Sequence, residues 1–271
     1  MENKFYGVGA NDIVTLEKSQ TVIEEIKIKG YSIIEDILSS DEINSAKVKL
    51  DSIYEEQLND FGLDKMKAIK EINLARCPLA YDDFFLKIAI RPVITDIVKF
   101  FLGDYFIINQ QNGIINSPNQ AHHQSSWHRD LPYQDYIISK PIAIASLICI
   151  DDFTTETGST AVIPFSHQLE KIPSTNYIHN NKVSVQAKKG SAIIFNAMLY
   201  HQAGYNSSNN TRRGLNTVFS IPLLKQQIDL FSQLNGKYSD DPYLRKLLGY
   251  DSNVPLSLTD WRQNQLNRIK K

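Results

Sequence analysis

The feature that most constrains the fold is a segment, residues 105–222, in which short β-forming runs alternate with turn residues. The runs are rich in Ile, Val, Phe and Tyr, and Gly, Pro, Asn and Ser separate them, so we predict six or more strands. Residues 142–150 are apolar at nearly every position, which is typical of a strand buried on both faces. Because no helix of a dozen residues separates the runs, a parallel doubly wound sheet is disfavoured. We expect a mainly β fold, a sandwich or jelly roll with flanking helices.

Helical patterns precede this segment. Ser39-Ser40-Asp41-Glu42 follows a short predicted strand at 31–34 and has the form of a capping box, so a helix should begin there. Residues 82–102 predict two further helices that join at Arg91-Pro92 and end at Gly103. The buried face of the first helix is predicted from apolar residues at helical spacing, namely Ile43, Ala46, Leu50, Ile53 and Tyr54.

Helical patterns also follow the strands, in QQIDLFSQLNG and DPYLRKLLGY, before a polar tail, TDWRQNQLNRIKK. We find no repeat and no linker between domains. The prediction is therefore one domain over residues 1–271. It has a helical N-terminal part (36–103), a β core (about 104–222) and a helical C-terminal extension (223–271).

Charge, cysteine content and the lack of sorting patterns limit the classes of function. Lys and Arg total 29 against 30 Asp and Glu, so electrostatics give no reason to expect a nucleic-acid or membrane partner. The two cysteines, Cys77 and Cys149, make neither a disulfide scaffold nor a zinc cluster. No signal-peptide pattern or membrane-length apolar run occurs. We expect a cytoplasmic protein that acts on a small molecule, and the oligomeric state stays open.

The stretch WHRDLPY, residues 127–133, allows two interpretations. His128-Arg129-Asp130-Leu131 has the letters that open a protein-kinase catalytic loop, and His-x-Asp is also part of a mononuclear iron site. The kinase interpretation fails because Asp135 occupies the position of the magnesium-binding Asn, and no glycine-rich loop or V-A-I-K lysine occurs. In the iron interpretation, alternation along a strand points His128 and Asp130 the same way and Arg129 away.

A facial iron site needs a second histidine, and His201 is the best candidate. An apolar strand leads to His201 and a polar loop, and another strand then begins with Arg212-Arg213. Arg212 could hold the distal carboxylate of a dicarboxylate through a bidentate pair, and Arg213 should point to the opposite side of the sheet.

The other aromatic and histidine residues near these motifs have less specific interpretations. His122 and His123 are predicted to contact substrate or solvent. His167 either belongs to the site or orients a loop through hydrogen bonds. Trp127 and Tyr133 either line the substrate pocket or pack in the core.

Together these segments resemble the phytanoyl-CoA dioxygenase family of iron(II)- and 2-oxoglutarate-dependent oxygenases. GYSIIEDILSSDEI resembles its N-terminal strand-and-helix segment, WHRDLPY its W-H-x-D motif, and DDFTTETGSTAVIPFSH its V-I-P-G-S-H segment. The stretch from His201 to Arg212 resembles the segment that carries the second histidine and, eleven positions later, the arginine. The resemblance covers roughly residues 29–222 and implies a double-stranded β-helix (jelly roll, cupin-like) backed by the N-terminal helices.

The resemblance also implies roles for individual residues. Arg212 matches the arginine that binds the far carboxylate of 2-oxoglutarate, and Thr160 matches a hydroxyl that touches the same co-substrate in some members. The stretch NQQN offers Gln110, Gln111 and Asn112 for its other end, and we assign Asn112. The implied iron(II) ligands, which are also the catalytic residues, are His128, Asp130 and His201.

Two departures from the family pattern occur between Asp151 and His167. Gly158 follows Thr157 rather than the usual Asn, and Phe165 replaces the glycine of P-G-S-H. The second change predicts a turn with a different backbone geometry.

The implied reaction uses O2 and 2-oxoglutarate, releases succinate and CO2, and hydroxylates an unactivated C–H bond of a small molecule. Related halogenases replace the metal-binding carboxylate by a small residue, so the intact Asp130 favours oxygen insertion. The same chemistry could instead end in desaturation, epimerisation or cyclisation. A cupin-like metal-binding protein that does not use 2-oxoglutarate is the alternative from another class. The sequence does not identify the substrate.

Overall fold

Two antiparallel sheets form the centre of the computed structural model, which describes residues 17–120, 122–131 and 135–269. In chain order the strands are β1 (Tyr31–Ile34), β2 (Leu74–Arg76), β3 (Ile107–Asn116), β4 (Ala143–Cys149), β5 (Thr160–Val162), β6 (Val183–Ser184), β7 (Ala192–Asn196), β8 (His201–Ala203) and β9 (Arg212–Ser220). The larger sheet has the order β1-β7-β4-β9-β3-β2, and the smaller sheet has the order β6-β5-β8. The predicted fold class is confirmed.

Helices precede and follow the sheets. They are α1 (Lys18–Lys29), α2 (Ser40–Phe61), α3 (Leu63–Ala68), α4 (Asp83–Ala89), α5 (Pro92–Leu102), α6 (Thr175–Asn181), α7 (Leu230–Gln233), α8 (Pro242–Leu247) and α9 (Leu258–Ile269). None of the helices in the described ranges combines the length and the hydropathy that a membrane span requires.

The predicted boundaries of the N-terminal helices are confirmed. Ser39 caps α2, because its hydroxyl accepts from the Glu42 amide while the Glu42 carboxylate accepts from the Ser39 amide. Pro92 starts α5, and Gly103 ends it with a φ of 86°. The five residues that the sequence assigns to the buried face of α2 are its buried residues.

The larger sheet separates two layers of apolar side chains. On its outer face, residues such as Ile148 and Leu215 pack against the N-terminal helices, and on its inner face Leu147 and Phe195 pack towards the smaller sheet. Burial on both faces explains why β4 is apolar at nearly every position. The outer layer is tight, since a Cβ placed on Gly113 would lie 2.1 Å from a methyl carbon of Leu50.

Local structure differs from the sequence prediction at several points. The W-H-x-D motif is not part of a regular strand: His128 forms an isolated antiparallel bridge with His201, and Asp130 lies in a bend. His201 begins β8 after a turn, instead of following directly from β7. The structure adds β2 to the largely helical N-terminal part and forms α9 in the predicted polar tail, while α1 and α6 were not predicted.

The backbone at Phe165 is left-handed, and a difference from the glycine-containing turn of the family stays a prediction. Phe165 has a φ of 66°, so the turn has the left-handed backbone that glycine usually adopts, although the residue is not glycine. The amide of Phe165 donates to the carbonyl of Lys29 at the end of α1, a contact that holds the chain in this conformation.

Candidate metal centre and co-substrate cavity

His128, Asp130 and His201 converge although His201 follows Asp130 by 71 positions in the sequence. Each offers one ligand atom, and these atoms all lie within 4.8 Å of one another. His201 Nε2 is 3.5 Å from Asp130 Oδ1, and the ring centroids of the two histidines are 4.3 Å apart. The structure therefore brings together the three side chains that the sequence selected.

Backbone hydrogen bonds hold the two segments together. His128 and His201 exchange two N–H···O bonds of 3.0 Å, as expected for an antiparallel bridge, so their rings lie side by side. The amide of Asp130 donates to the carbonyl of Ala197 at 3.1 Å. We expected alternation along one strand to direct His128 and Asp130 to the same side. In the structure, hydrogen bonds between the segment that contains them and the segment from Ala197 to His201 hold them in place.

Hydrogen bonds to backbone carbonyls orient both imidazoles. Nδ1 of His128 is 2.8 Å from the carbonyl oxygen of Ser126, and Nδ1 of His201 is 3.0 Å from that of Leu199. A carbonyl oxygen only accepts, so each Nδ1 carries a proton, and Nε2 is the atom of each ring that would bind a metal. Metal-binding histidines are usually oriented by such hydrogen bonds.

The carboxylate of Asp130 is buried and held by a neighbour that the sequence analysis missed. Burial raises the pKa of Asp130, but His201, His128 and the side-chain amide of Asn216 outweigh it, so the pKa lies below its ordinary value. Nδ2 of Asn216 donates to Asp130 Oδ2 over 3.2 Å. Two neutral imidazoles and one carboxylate are the donor set of non-haem iron(II) sites, so these residues fit that metal.

Arg212, the first residue of β9, is a buried cation. It is 1% exposed, it donates to the Gly158 carbonyl oxygen over 2.7 Å, and its guanidinium lies 4.3 Å above the ring of Phe153. Its Nε has no hydrogen-bond partner, and no carboxylate of the described residues forms a salt bridge with it. Burial lowers its pKa to about 10, so it stays charged near neutral pH. A buried charge without a carboxylate in direct contact is costly, so Arg212 has the chemistry to bind an anion.

One cavity connects the histidines with this arginine. Its walls include His128, His201, Arg212, Thr160 and Asn216. Thr160 is 5% exposed and begins β5, where it pairs with Ala203 of β8. The structure thus places Thr160 and Arg212, two of the residues predicted to bind a co-substrate, in the cavity of the predicted metal ligands.

The NQQN stretch lies on β3, and its side chains alternate between the two faces. The amide of Gln111 is on the helix side, where it bonds Leu79 and Phe85, so it is directed away from the cavity. Asn112 pairs with Asn216 in register, but it is not part of the cavity wall, and its Oδ1 accepts from Arg76.

Gln110 contacts the metal-binding segment. Its Nε2 donates to the backbone carbonyl of Asp130 over 3.3 Å. The contact of Asn112 with the co-substrate stays a prediction.

The remaining residues singled out in the sequence have separate positions. Arg213 points to the outer face, as predicted, and bonds Asp51 and Asp151. Nε2 of His167 lies 3.3 Å from the carbonyl oxygen of Lys27, so this residue joins a loop to α1. His122 is buried, and its Nδ1 accepts a hydrogen bond from the Gln124 amide. Trp127 is half-buried. Tyr133 lies outside the described residues.

Alternation along β9 is the sequence pattern that could have identified Asn216. Inner-facing positions recur every second residue, so Arg212 and Asn216 share a face. Asn216 lies four residues after Arg212 on the same face of the strand. Its side chain could therefore have been predicted to line the same cavity as Arg212.

Comparison with known proteins agrees with this geometry. The family model of the phytanoyl-CoA dioxygenases matches residues 26–214. An uncharacterised protein of Mycobacterium tuberculosis is 30% identical over 259 residues, which cover 92% of this chain and 93% of that protein.

Solved structures with low sequence identity share the fold. EctD from S. alaskensis, solved with 2-oxoglutarate and 5-hydroxyectoine, has a TM-score of 0.61 and 20% identity, and the match covers 77% of each chain. SnoN, a non-haem α-ketoglutarate-dependent epimerase from nogalamycin biosynthesis, has a TM-score of 0.59 and 14% identity, covering 75% of this chain and 81% of that one. The fold is a double-stranded β-helix, and the chain belongs to the phytanoyl-CoA dioxygenase family.

Proposed function

We propose that this chain is an iron(II)- and 2-oxoglutarate-dependent oxygenase that hydroxylates an unactivated C–H bond of a small molecule, with release of succinate and CO2. The observation that carries the proposal is the buried Arg212, which has no salt bridge to a carboxylate of the described residues and lines the same cavity as the two histidines. Membership in a family of dioxygenases supports the same reaction class.

In this proposal, His128, Asp130 and His201 hold iron(II) through the two Nε2 atoms and one carboxylate oxygen. The bound metal supplies the activation of O2, coupled to oxidative decarboxylation of the co-substrate. The protein's own contribution is to fix the three ligand atoms. The carbonyls of Ser126 and Leu199 set the imidazole tautomers, and Asn216 restrains the carboxylate.

Arg212 has the chemistry to bind the distal carboxylate of 2-oxoglutarate. The Gly158 carbonyl accepts from one terminal nitrogen and the Phe153 ring supports the guanidinium plane, so the unpartnered Nε is available for an anion. Exclusion of water strengthens such a pair, because opposite charges attract more strongly at low dielectric constant. Thr160 would add a hydroxyl to the same carboxylate, and Asn112 a contact at the other end.

Two observations bear on the outcome of the reaction. The carboxylate of Asp130 is present among the ligands, which supports hydroxylation over halogenation. SnoN shares the fold and is an epimerase, so the same scaffold serves a second outcome, and product analysis distinguishes the two. The cupin-like alternative without 2-oxoglutarate leaves Arg212 as an uncompensated buried charge, which counts against it.

We further propose that residues 1–271 form one catalytic domain that acts on a small molecule. The family model spans the N-terminal helices and the β core together, which supports a single unit. The outer layer of the larger sheet packs against those helices, so neither part buries its apolar face without the other.

The decisive experiment measures co-substrate turnover. The purified protein is loaded with iron(II) without oxygen, mixed with 2-oxoglutarate and a panel of small metabolites, and then exposed to O2. We expect one compound to stimulate succinate release and to gain the mass of one oxygen atom, and the Asp130→Ala variant to do neither. If no compound in a broad panel stimulates succinate above the Asp130→Ala background, and 2-oxoglutarate does not bind, the proposal is rejected.

A further inference from the structure

Arg129 lies between two of the proposed metal ligands, and its side chain is directed away from the cavity into the protein. It is 3% exposed. Its guanidinium donates to the backbone carbonyl oxygens of Met198, Ser166 and Glu170 over 2.8, 3.1 and 3.2 Å, and also to that of Leu169. Within the described part of the chain, this buried cation therefore donates to four carbonyl oxygens.

These acceptors belong to two turns. The first, residues 197–200, joins β7 to β8, and the second, residues 166–170, follows β5. The turns also contact each other, because the amide of Tyr200 donates to Ser166 Oγ over 2.9 Å. The ring of Tyr200 supports the guanidinium at 4.0 Å.

The turn at 197–200 helps to position all three proposed ligands. Its Leu199 carbonyl orients the ring of His201, and its Ala197 carbonyl accepts from the amide of Asp130. His201 follows the turn directly and pairs with the backbone of His128. A displacement of this turn would therefore change the positions of the ligand atoms relative to one another.

We propose that Arg129 is a positioning residue that keeps the metal-binding geometry by fixing these two turns. The inference rests on the proposed function, since it assumes that a metal binds at His128, Asp130 and His201. Arginine suits this role because its planar group has five N–H donors in a fixed fork, whereas lysine has three donors on a single nitrogen. Groups that orient metal ligands typically change metal affinity by about 10- to 100-fold when they are removed.

The test is a titration of the metal-free protein with Co(II), followed by its visible absorption, for wild type, Arg129→Lys and Arg129→Met. Arg213→Met is the matched control, because it removes an arginine that bonds Asp51 and Asp151 on the outer face, away from the ligands. Thermal unfolding of each metal-free variant is measured in parallel. We expect the Co(II) dissociation constant to rise about 10- to 100-fold in Arg129→Met and less in Arg129→Lys, with an altered spectrum, and to stay within twofold in Arg213→Met.

The outcomes separate the two proposals. If the wild type binds Co(II) and both Arg129 variants bind it equally well, with only a lower unfolding temperature, Arg129 is merely structural and the inference is overturned. If the wild type itself does not bind the metal, the proposed function fails and this inference fails with it. If Arg129→Met does not fold, Arg129→Lys decides, because it keeps the charge and the aliphatic stem.

Discussion

Nδ2 of Asn216 donates to Oδ2 of Asp130 over 3.2 Å, although Asn216 lies on β9, a strand that contributes no proposed metal ligand. The same strand begins with Arg212, whose side chain lines the same cavity. One strand therefore contacts the proposed metal site at one position and presents a buried cation at another. A rigid strand fixes the separation between the two functions, which orients a ligand that spans them.

Removing this amide should weaken metal binding. In Asn216→Ala the carboxylate of Asp130 loses its hydrogen-bond donor, and we expect the Co(II) or iron(II) dissociation constant to rise about tenfold. The measurement is an anaerobic titration. Thr217→Val is the control, since Thr217 bonds Gln111 on the outer face and should leave metal affinity unchanged. Equal affinity of Asn216→Ala and wild type would show that the hydrogen bond has no role in metal binding.

The substitution Arg212→Met should weaken 2-oxoglutarate binding without lowering the stability of the ligand-free protein. Removing one member of a buried charge pair typically costs about 2 to 5 kcal/mol of binding free energy. About 2 kcal/mol corresponds to a factor of about 30, so the apparent KM for 2-oxoglutarate should rise at least about 30-fold. The ligand-free variant should be as stable as wild type or more stable, because an uncompensated buried charge is removed. Chemical denaturation with and without 2-oxoglutarate measures both effects. An unchanged KM would reject the assigned role of Arg212.

Gly158→Ala should disturb the carbonyl that holds Arg212. Gly158 has a φ of +75°, and a Cβ there would lie 2.4 Å from the backbone oxygen of Gly204. We expect a loss of about 2 kcal/mol or more in unfolding free energy and weaker 2-oxoglutarate binding.

Gly236→Ala is the matched control for this backbone effect. Gly236 has a φ of +68°, and its nearest neighbour would be at 3.4 Å, so that variant should show the cost of the φ angle alone. Equal losses in the two variants would contradict the role of the close approach between Gly158 and Gly204.

His167 should make the protein less stable in mild acid. Burial lowers the pKa of His167; the Lys27 carbonyl acts in the opposite direction, and Arg129 lowers it further. As the pH falls below about 6.5, the unfolded chain binds a proton at this residue before the folded chain does, so folding free energy is lost. The contribution is at most about 1.4 kcal/mol per pH unit.

Replacing His167 by Gln should remove this part of the acid dependence. Urea unfolding between pH 7 and pH 5 measures the slope, and Gln retains a donor for the Lys27 carbonyl. The same slope in His167→Gln and wild type would assign the acid sensitivity to other groups.

Replacing Phe165 by glycine should give a more stable protein than replacing it by alanine. The residue has a φ of 66° and is 50% exposed, so both substitutions remove the same ring and only glycine relieves the left-handed backbone. We expect Phe165→Gly to be about 1 kcal/mol more stable than Phe165→Ala, the reverse of the order found in a helix or strand. Thermal unfolding of the pair measures the difference, and a more stable alanine variant would contradict it.

Local sequence patterns were sufficient to predict several of the helices and strands and the donor chemistry of the site. Local spacing is enough to locate the capping box of α2, the break before Pro92 and the doubly buried β4, because each depends on residues near in sequence. The donor types of His128, Asp130 and His201 are likewise a property of the residues themselves.

Which side chains support that chemistry depends on long-range contacts. The W-H-x-D segment is not a regular strand, and its geometry comes from pairing with a turn some 70 residues away. The hydrogen bond from Asn216 to Asp130, the direction of Gln111 and the four carbonyl acceptors of Arg129 depend on register between strands and on the paths of turns. Long-range packing sets the partners of these side chains, whereas periodicity along the chain predicts only which face of a strand or helix a residue occupies.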